Sequence, residues 1–244
     1  MKMMQKSLLA LAVMATTALN VQAASNVDVK VIGRIDPGTC TPTLSGGGTI
    51  DYGTMNPSTL AATGYTKLAE KQLDFSISCT APSKVAVEVK NGRPNTTAGN
   101  TENSATGFAK QPTSMDLFGS TASAIGVAGL GESNGVKVGG YGVRIAPGGA
   151  IADGNSVDVI VAINPHNPAA TWAKASGVGS ILRPDGTAGL GGSWAATGTT
   201  TPVAFTNLSG KLGVQAYLNE RSAFDLTNTV QLDGLSTLEL IYLP

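Results

Sequence analysis

Apolar side chains recur at every second residue in several separate stretches of this chain. Beyond the first 23 residues, no stretch of ten repeats them convincingly at helical spacing. Val27, Val29 and Val31 form the first such stretch, with Gly33 and Ile35 in the same phase. Leu73, Phe75 and Ile77 alternate with Asp74, Ser76 and Ser78, and Val85, Val87 and Val89 follow a turn at Ala81-Pro82-Ser83. Leu238, Leu240 and Tyr242 close the chain in one phase. Successive residues of a strand face opposite sides, so each stretch predicts a strand with one buried face. Further strands are predicted over Lys137–Ile145, Val157–Ile163, Pro202–Phe205, Lys211–Leu218 and Phe224–Leu232. Asp36-Pro37-Gly38, Gly46-Gly47-Gly48 and Asn91-Gly92 supply turns. Asp233-Gly234 is either a two-residue hairpin turn or a bulge within one longer strand. Many short strands joined by Gly-rich turns predict an all-β, antiparallel sandwich.

The first residues set the compartment. Lys2 and Lys6 precede an apolar run from Ser7 to Leu19, and Val21-Gln22-Ala23 supplies small or aliphatic residues for cleavage. Residues 1–23 therefore read as a secretory signal, cut after Ala23 or Ala24. No later apolar run is long enough to span a membrane. Cys40 and Cys79 are the two cysteines, and both follow the signal. In an oxidising compartment they are expected to pair. A redox or metal pair is the alternative, but Cys-x-x-Cys spacing and neighbouring His are both missing.

Charge narrows the function. Without residues 1–23, 14 basic residues face 16 acidic ones, a net charge of −2. Nucleic-acid binding needs a basic face that displaces counterions, and an anionic membrane surface needs a basic cluster. Neither is present, so neither partner is expected. His166 is the lone histidine, in the loop-like Asn164-Pro165-His166-Asn167-Pro168, with Asp153, Asp158 and Asp185 the nearest acids. No Gly-x-Ser-x-Gly elbow accompanies it, and Gly129-Leu130-Gly131 and Gly189-Leu190-Gly191-Gly192 lack the Lys-Ser/Thr of a phosphate loop. No catalytic residue, metal site or cofactor is assigned. Residues 94–135 and 165–201 are rich in Gly, Ala, Thr and Asn and read as long insertions. Trp172 and Trp194 sit near them, either packed in a core or stacking on a sugar.

The two ends carry a resemblance. Gly33-Arg34-Ile35 lies seven residues ahead of Cys40, Cys79 ends an alternating strand, and Leu238, Leu240 and Tyr242 alternate at the terminus. This order resembles subunits of bacterial chaperone–usher pili. Cys40-Thr41-Pro42-Thr43-Leu44, Asp51-Tyr52-Gly53, Lys137-Val138-Gly139-Gly140-Tyr141 and Asp233-Gly234 to Tyr242-Leu243 look closer to one branch, fimbria-operon proteins of largely unassigned function. The likeness covers most of residues 27–90 and 203–244. Tyr242 stands third from the end, whereas pilins commonly place a Tyr second.

The resemblance implies one immunoglobulin-like sandwich over 37–244 that lacks its last strand, preceded by a donor strand at 24–36. Val27, Val29, Val31, Gly33 and Ile35 would enter a neighbouring subunit; alternatively 27–35 is the first strand of a closed sandwich. Leu238, Leu240 and Tyr242 would face a periplasmic chaperone. The implied partners are that chaperone, an outer-membrane usher and other fimbrial subunits, in a chain exported through the periplasm to a surface fimbria. A minor or tip adhesin, or a free-standing secreted binding protein, is the alternative function.

Overall fold

A computed structural model describes residues 29–32, 38–121, 125–175 and 177–244. The signal expected over 1–23 lies outside the described residues, as do Val27, Gly33 and Ile35 of the expected donor strand. The chain divides into two units, Met1–Asp36 and Pro37–Pro244. In the first, residues 29–32 take no strand, and Val29, Val31 and Ile32 are 86%, 91% and 80% exposed.

The second unit is built of strands. In chain order they are β1 (Cys40–Leu44), β2 (Thr66–Lys67), β3 (Lys71–Ser83), β4 (Val85–Asn91), β5 (Ala109–Lys110), β6 (Gly126–Gly129), β7 (Glu132–Ser133) and β8 (Val136–Lys137). The rest are β9 (Gly139–Ile145), β10 (Ala150–Ala152), β11 (Asn155–Ile163), β12 (Ala173–Lys174), β13 (Leu190–Ala196), β14 (Phe205–Leu218) and β15 (Ser236–Tyr242). Helical structure among the described residues is limited to 3-10 turns. No helix there is long and apolar enough to cross a membrane.

The strands form an antiparallel, immunoglobulin-like sandwich. One layer runs β1-β3-β14-β9-β6-β5 and the other β15-β4-β13-β11, with β10 pairing to both β11 and β14. Leu73, Phe75 and Ile77 of β3 point inward, as their alternation predicts, and meet Val85, Val87 and Val89 of β4 in one core. Trp194 of β13 is fully buried there, stacked on Phe75 at 6.0 Å and edge-on to Phe205 at 5.8 Å. That places Trp194 in the core, out of reach of a sugar; Trp172 is half-buried. Cys40 and Cys79 face each other across β1 and β3 and are joined by the expected disulfide.

Several elements differ from the sequence reading: Ala81-Pro82-Ser83 ends β3 rather than forming a turn, and Phe205 opens β14 rather than ending a strand from Pro202. Leu190–Ala196, within the predicted second insertion, is an inner strand between β4 and β11. Its glycines hide the pattern: Gly191 packs so closely on Pro165 that a Cβ would come within 2.6 Å of that ring. The first insertion carries strands too, and a small apolar cluster of Ala98, Ala109, Met115, Leu117, Ile125 and Val127 closes around Tyr217. Phe224–Leu232, predicted as a strand, forms none. Val230 and Leu232 do turn inward, but among the described residues no edge lies alongside to supply main-chain partners.

The disulfide ties an edge strand to the sheet across a separation of 39 residues. Closing a loop of that length constrains the unfolded chain by about 4 kcal/mol in the chain-entropy account. A Cys40→Ala, Cys79→Ala variant is expected to lose stability of that order in urea unfolding. A midpoint unchanged from the oxidised protein would contradict it.

Candidate functional site

The candidate site begins at a corner. Lys84 alone separates β3 from β4, so one residue carries the chain between layers. Cys40 is registered opposite Cys79 on β3, and Tyr242 opposite Val85 on β4. Tyr242 therefore lies beside the corner, and its side chain reaches back along the sandwich, where the Cys40 amide donates to its hydroxyl at 2.7 Å. The Leu243 amide donates to the Lys84 carbonyl at 2.9 Å, and the Lys84 ammonium donates to the Pro244 main-chain oxygen at 3.0 Å.

Away from that corner, β1 and β15 each keep one edge open. Among the described residues β1 pairs with β3 alone and β15 with β4 alone. Between them runs a groove of about 1080 Å³, whose apolar lining includes Leu44, Leu73, Val143, Leu212, Val214 and Leu238. Leu73, Val143, Leu212 and Val214 are buried at its floor, whereas Leu44, Leu238 and Leu240 are only half-buried, packed on the core at one side. Thr237 and Glu239 point to solvent, and Tyr242 is 52% exposed. The sequence-predicted trio thus lies on one edge strand, with Leu238 lining the groove and the Tyr242 hydroxyl bonded to the Cys40 amide.

The opposite end of β15 is pinned by groups the sequence reading did not single out. Arg93 grips Asp233 with two bonds of 2.9 Å each, the Asp233 amide donates to the Leu130 carbonyl at 2.9 Å, and the Gly92 amide donates to the Leu235 carbonyl at 2.8 Å. The Arg93 guanidinium holds the Asp233 carboxyl below its ordinary range. Asp233-Gly234 is neither hairpin nor bulge but the lead-in to β15. Gly234 lies against the Tyr141 ring, where a Cβ would approach Cε1 to 2.8 Å. The Tyr141 and Ser236 hydroxyls share a bond of 2.6 Å.

His166 lies elsewhere. Its Nε2 is 2.8 Å from the Glu88 carboxylate, which also accepts from the Lys90 ammonium at 2.8 Å. Glu88 is 4% exposed although its phase on β4 predicts a solvent-facing residue. The 164–189 segment covers that face, and Gly189 sits so close that a Cβ would overlap the carboxylate. A buried carboxylate needs compensating charge, and this arrangement reads as such compensation. Among the described residues no group of three or more His, Cys, Asp or Glu is placed to hold a metal ion.

The profile of a family described as "Protein of unknown function (DUF1120)" matches residues 29–142. The chain is 33% identical over 247 residues to Protein GltF of Escherichia coli (strain K12), spanning 95% of each protein. It is 24% identical over 233 residues to Uncharacterized protein YhcF of the same strain, covering 93% of this chain and 94% of that one. The chain belongs to the family of Protein GltF.

The Arg93–Asp233 pair gives the groove's far end a pH dependence. Asp233 has a folded pKa below its unfolded one, so the pair stabilises the fold above the ordinary carboxylate range. That contribution fades as pH falls through the folded pKa. Arg93→Ala is expected to return Asp233 to the ordinary range near 4. It should also flatten the stability profile between about pH 5 and about pH 3. Carboxyl NMR titration of Asp233 checks the first part; an unmoved titration in the variant would contradict it.

Proposed function

For this member of the GltF family we propose a structural role: a subunit of a surface fimbria, assembled by the chaperone–usher route through strand donation. The observation that carries the reading is the apolar groove beside two unpaired strand edges, β1 and β15, which no strand fills among the described residues. Unpaired edges template strand addition, and a monomer ordinarily blunts them. Here β15 offers its main chain, while Leu238 and its neighbours offer side-chain sites at alternate positions. An extended segment with aliphatic residues at every second position satisfies both demands, with main-chain bonds for affinity and side chains for register.

Val29 and Val31 have that spacing and are almost wholly exposed. In this reading they enter the groove of the next subunit, together with Val27, Gly33 and Ile35. Before assembly a periplasmic chaperone lends the missing strand along β15, gripping the edge of Leu238, Leu240 and Tyr242. An outer-membrane usher then exchanges that strand for a neighbour's tail, and the product stands on the cell surface. Export through the periplasm accords with the disulfide between Cys40 and Cys79. No enzymatic step enters the reading.

A Val29→Asp, Val31→Asp double variant tests donation. Two carboxylates cannot enter an apolar groove unpaired, so fibres should be lost or capped at this subunit. Thermal stability of the chaperone-bound subunit should stay unchanged. If the tail instead belongs to its own core, stability should fall by roughly 1–3 kcal/mol per site. Intact fibres with intact folding would remove the tail from assembly altogether.

A further inference from the structure

The segment joining β14 to β15, residues 219–235, is held firmly at both ends and weakly between them. At its start the Arg221 amide donates to the Ala61 carbonyl at 2.9 Å, and the Gly64 amide donates to the Glu220 carboxylate at 3.0 Å. At its end stand the Arg93–Asp233 pair and the bonds to Leu130 and Gly92 already described. Between these clamps the main-chain bonds are local, from the Phe224 amide to Arg221 and from the Asn228 amide to Asp225. The Asp225 carboxylate gathers the Thr227 hydroxyl at 2.6 Å and the Asn228 amide group at 2.8 Å, so the tip folds upon itself. From Thr229 to Leu232 no main-chain bond to a strand occurs among the described residues. Phe224, Val230 and Leu232 nevertheless pack on the core and line the groove.

Both clamps lie at the end of the sandwich away from Lys84. β14 runs on to Leu218 past the point where Val214 faces Lys71, the first residue of β3, and Ser236 faces Asn91, the last of β4. The segment therefore hangs across the groove from its far end.

We propose that residues 224–232 are an internal strap that covers the groove while it is empty and lifts on its two clamps when a strand is added to β15. This regulation rests on the strand-addition reading above. Strap and added strand both bury apolar side chains in the groove, but only the strand also bonds the free main chain of β15. The strand therefore displaces the strap at equilibrium. Until it arrives, the strap keeps apolar surface from water and slows uptake.

A labelled synthetic peptide of residues 24–36 serves as the probe. The receiver is the folded, oxidised chain carrying Val29→Asp and Val31→Asp, whose own tail cannot compete. Peptide uptake is followed by fluorescence anisotropy, with and without a further Val230→Ser, Leu232→Ser change. Uptake at least tenfold faster with the strap weakened is the expected result, and Arg93→Ala should accelerate it in the same direction. Equal or slower uptake in the weakened variants would overturn the strap and leave the groove reading standing. Failure of the peptide to bind any of these chains would overturn the groove reading and the strap with it. Should the serine variant fail to fold, limited proteolysis of the receiver decides: cleavage within 224–232 rises on peptide binding if the strap lifts. Unchanged cleavage with peptide bound overturns it.

Discussion

At Lys84 the chain passes from β3 into β4, and so from one layer of the sandwich to the other, with a single residue between strands. That corner fixes where the partners of both strands begin. β1 is laid against β3 so that Cys40 faces Cys79, and β15 against β4 so that Tyr242 faces Val85. Two residues 202 positions apart are thereby brought within one hydrogen bond. Gathering such distant strands costs loop-closure entropy in folding. The disulfide offsets part of it by constraining the unfolded chain between β1 and β3. The core follows from the same turn, because it sets the inward faces of β3 and β4 opposite each other.

With that much in place, the sequence reading of β3, β4 and β15 holds for a plain reason. Their alternation reports which face meets the core, and the sandwich class follows from the same few segments. Alternation does not report whether a partner edge exists. Val230 and Leu232 alternate and turn inward as a strand would, yet no edge receives them, and the segment is a strap. β13 shows the converse. Gly191 and Gly192 lack side chains to display a period, and their place is set by Pro165, Ile181 and Val87 from elsewhere in the fold. Glu88 is buried because a distant loop lies over its face of the sheet, a fact no local pattern contains. The groove itself was legible only as two strand-like ends; its position required the corner.

An open groove is a liability for a protein on its own. It exposes apolar surface and two rows of main-chain groups, the combination that drives edge-to-edge association. Charge on the outward face of β15, where Glu239 faces solvent beside Lys90, discourages stacking of sheet faces but leaves the edge untouched. Protection of that edge must come from something that fills the space beneath it. The strap answers the apolar part of the demand through Phe224, Val230 and Leu232, and leaves the hydrogen-bonding part unmet. That division makes the closed form stable enough to persist and weak enough to yield.

The two ends of the groove are also unlike. At the corner, the Cys40 amide bonds the Tyr242 hydroxyl and so links β1 to β15 directly. Elsewhere the strap lines the groove, between clamps that can hold while the middle moves, together with Ile50, Tyr52, Met55 and Leu60 of the segment after β1. A strand laid along β15 has seven residues of free edge to bond, from Ser236 to Tyr242. At about 3.3 Å per residue that is roughly 23 Å, within the span of the short alternating segment ahead of Cys40. In the proposed strand addition, the free edge, set by the corner on one side and by Arg93–Asp233 on the other, asks no more than seven residues of the donor.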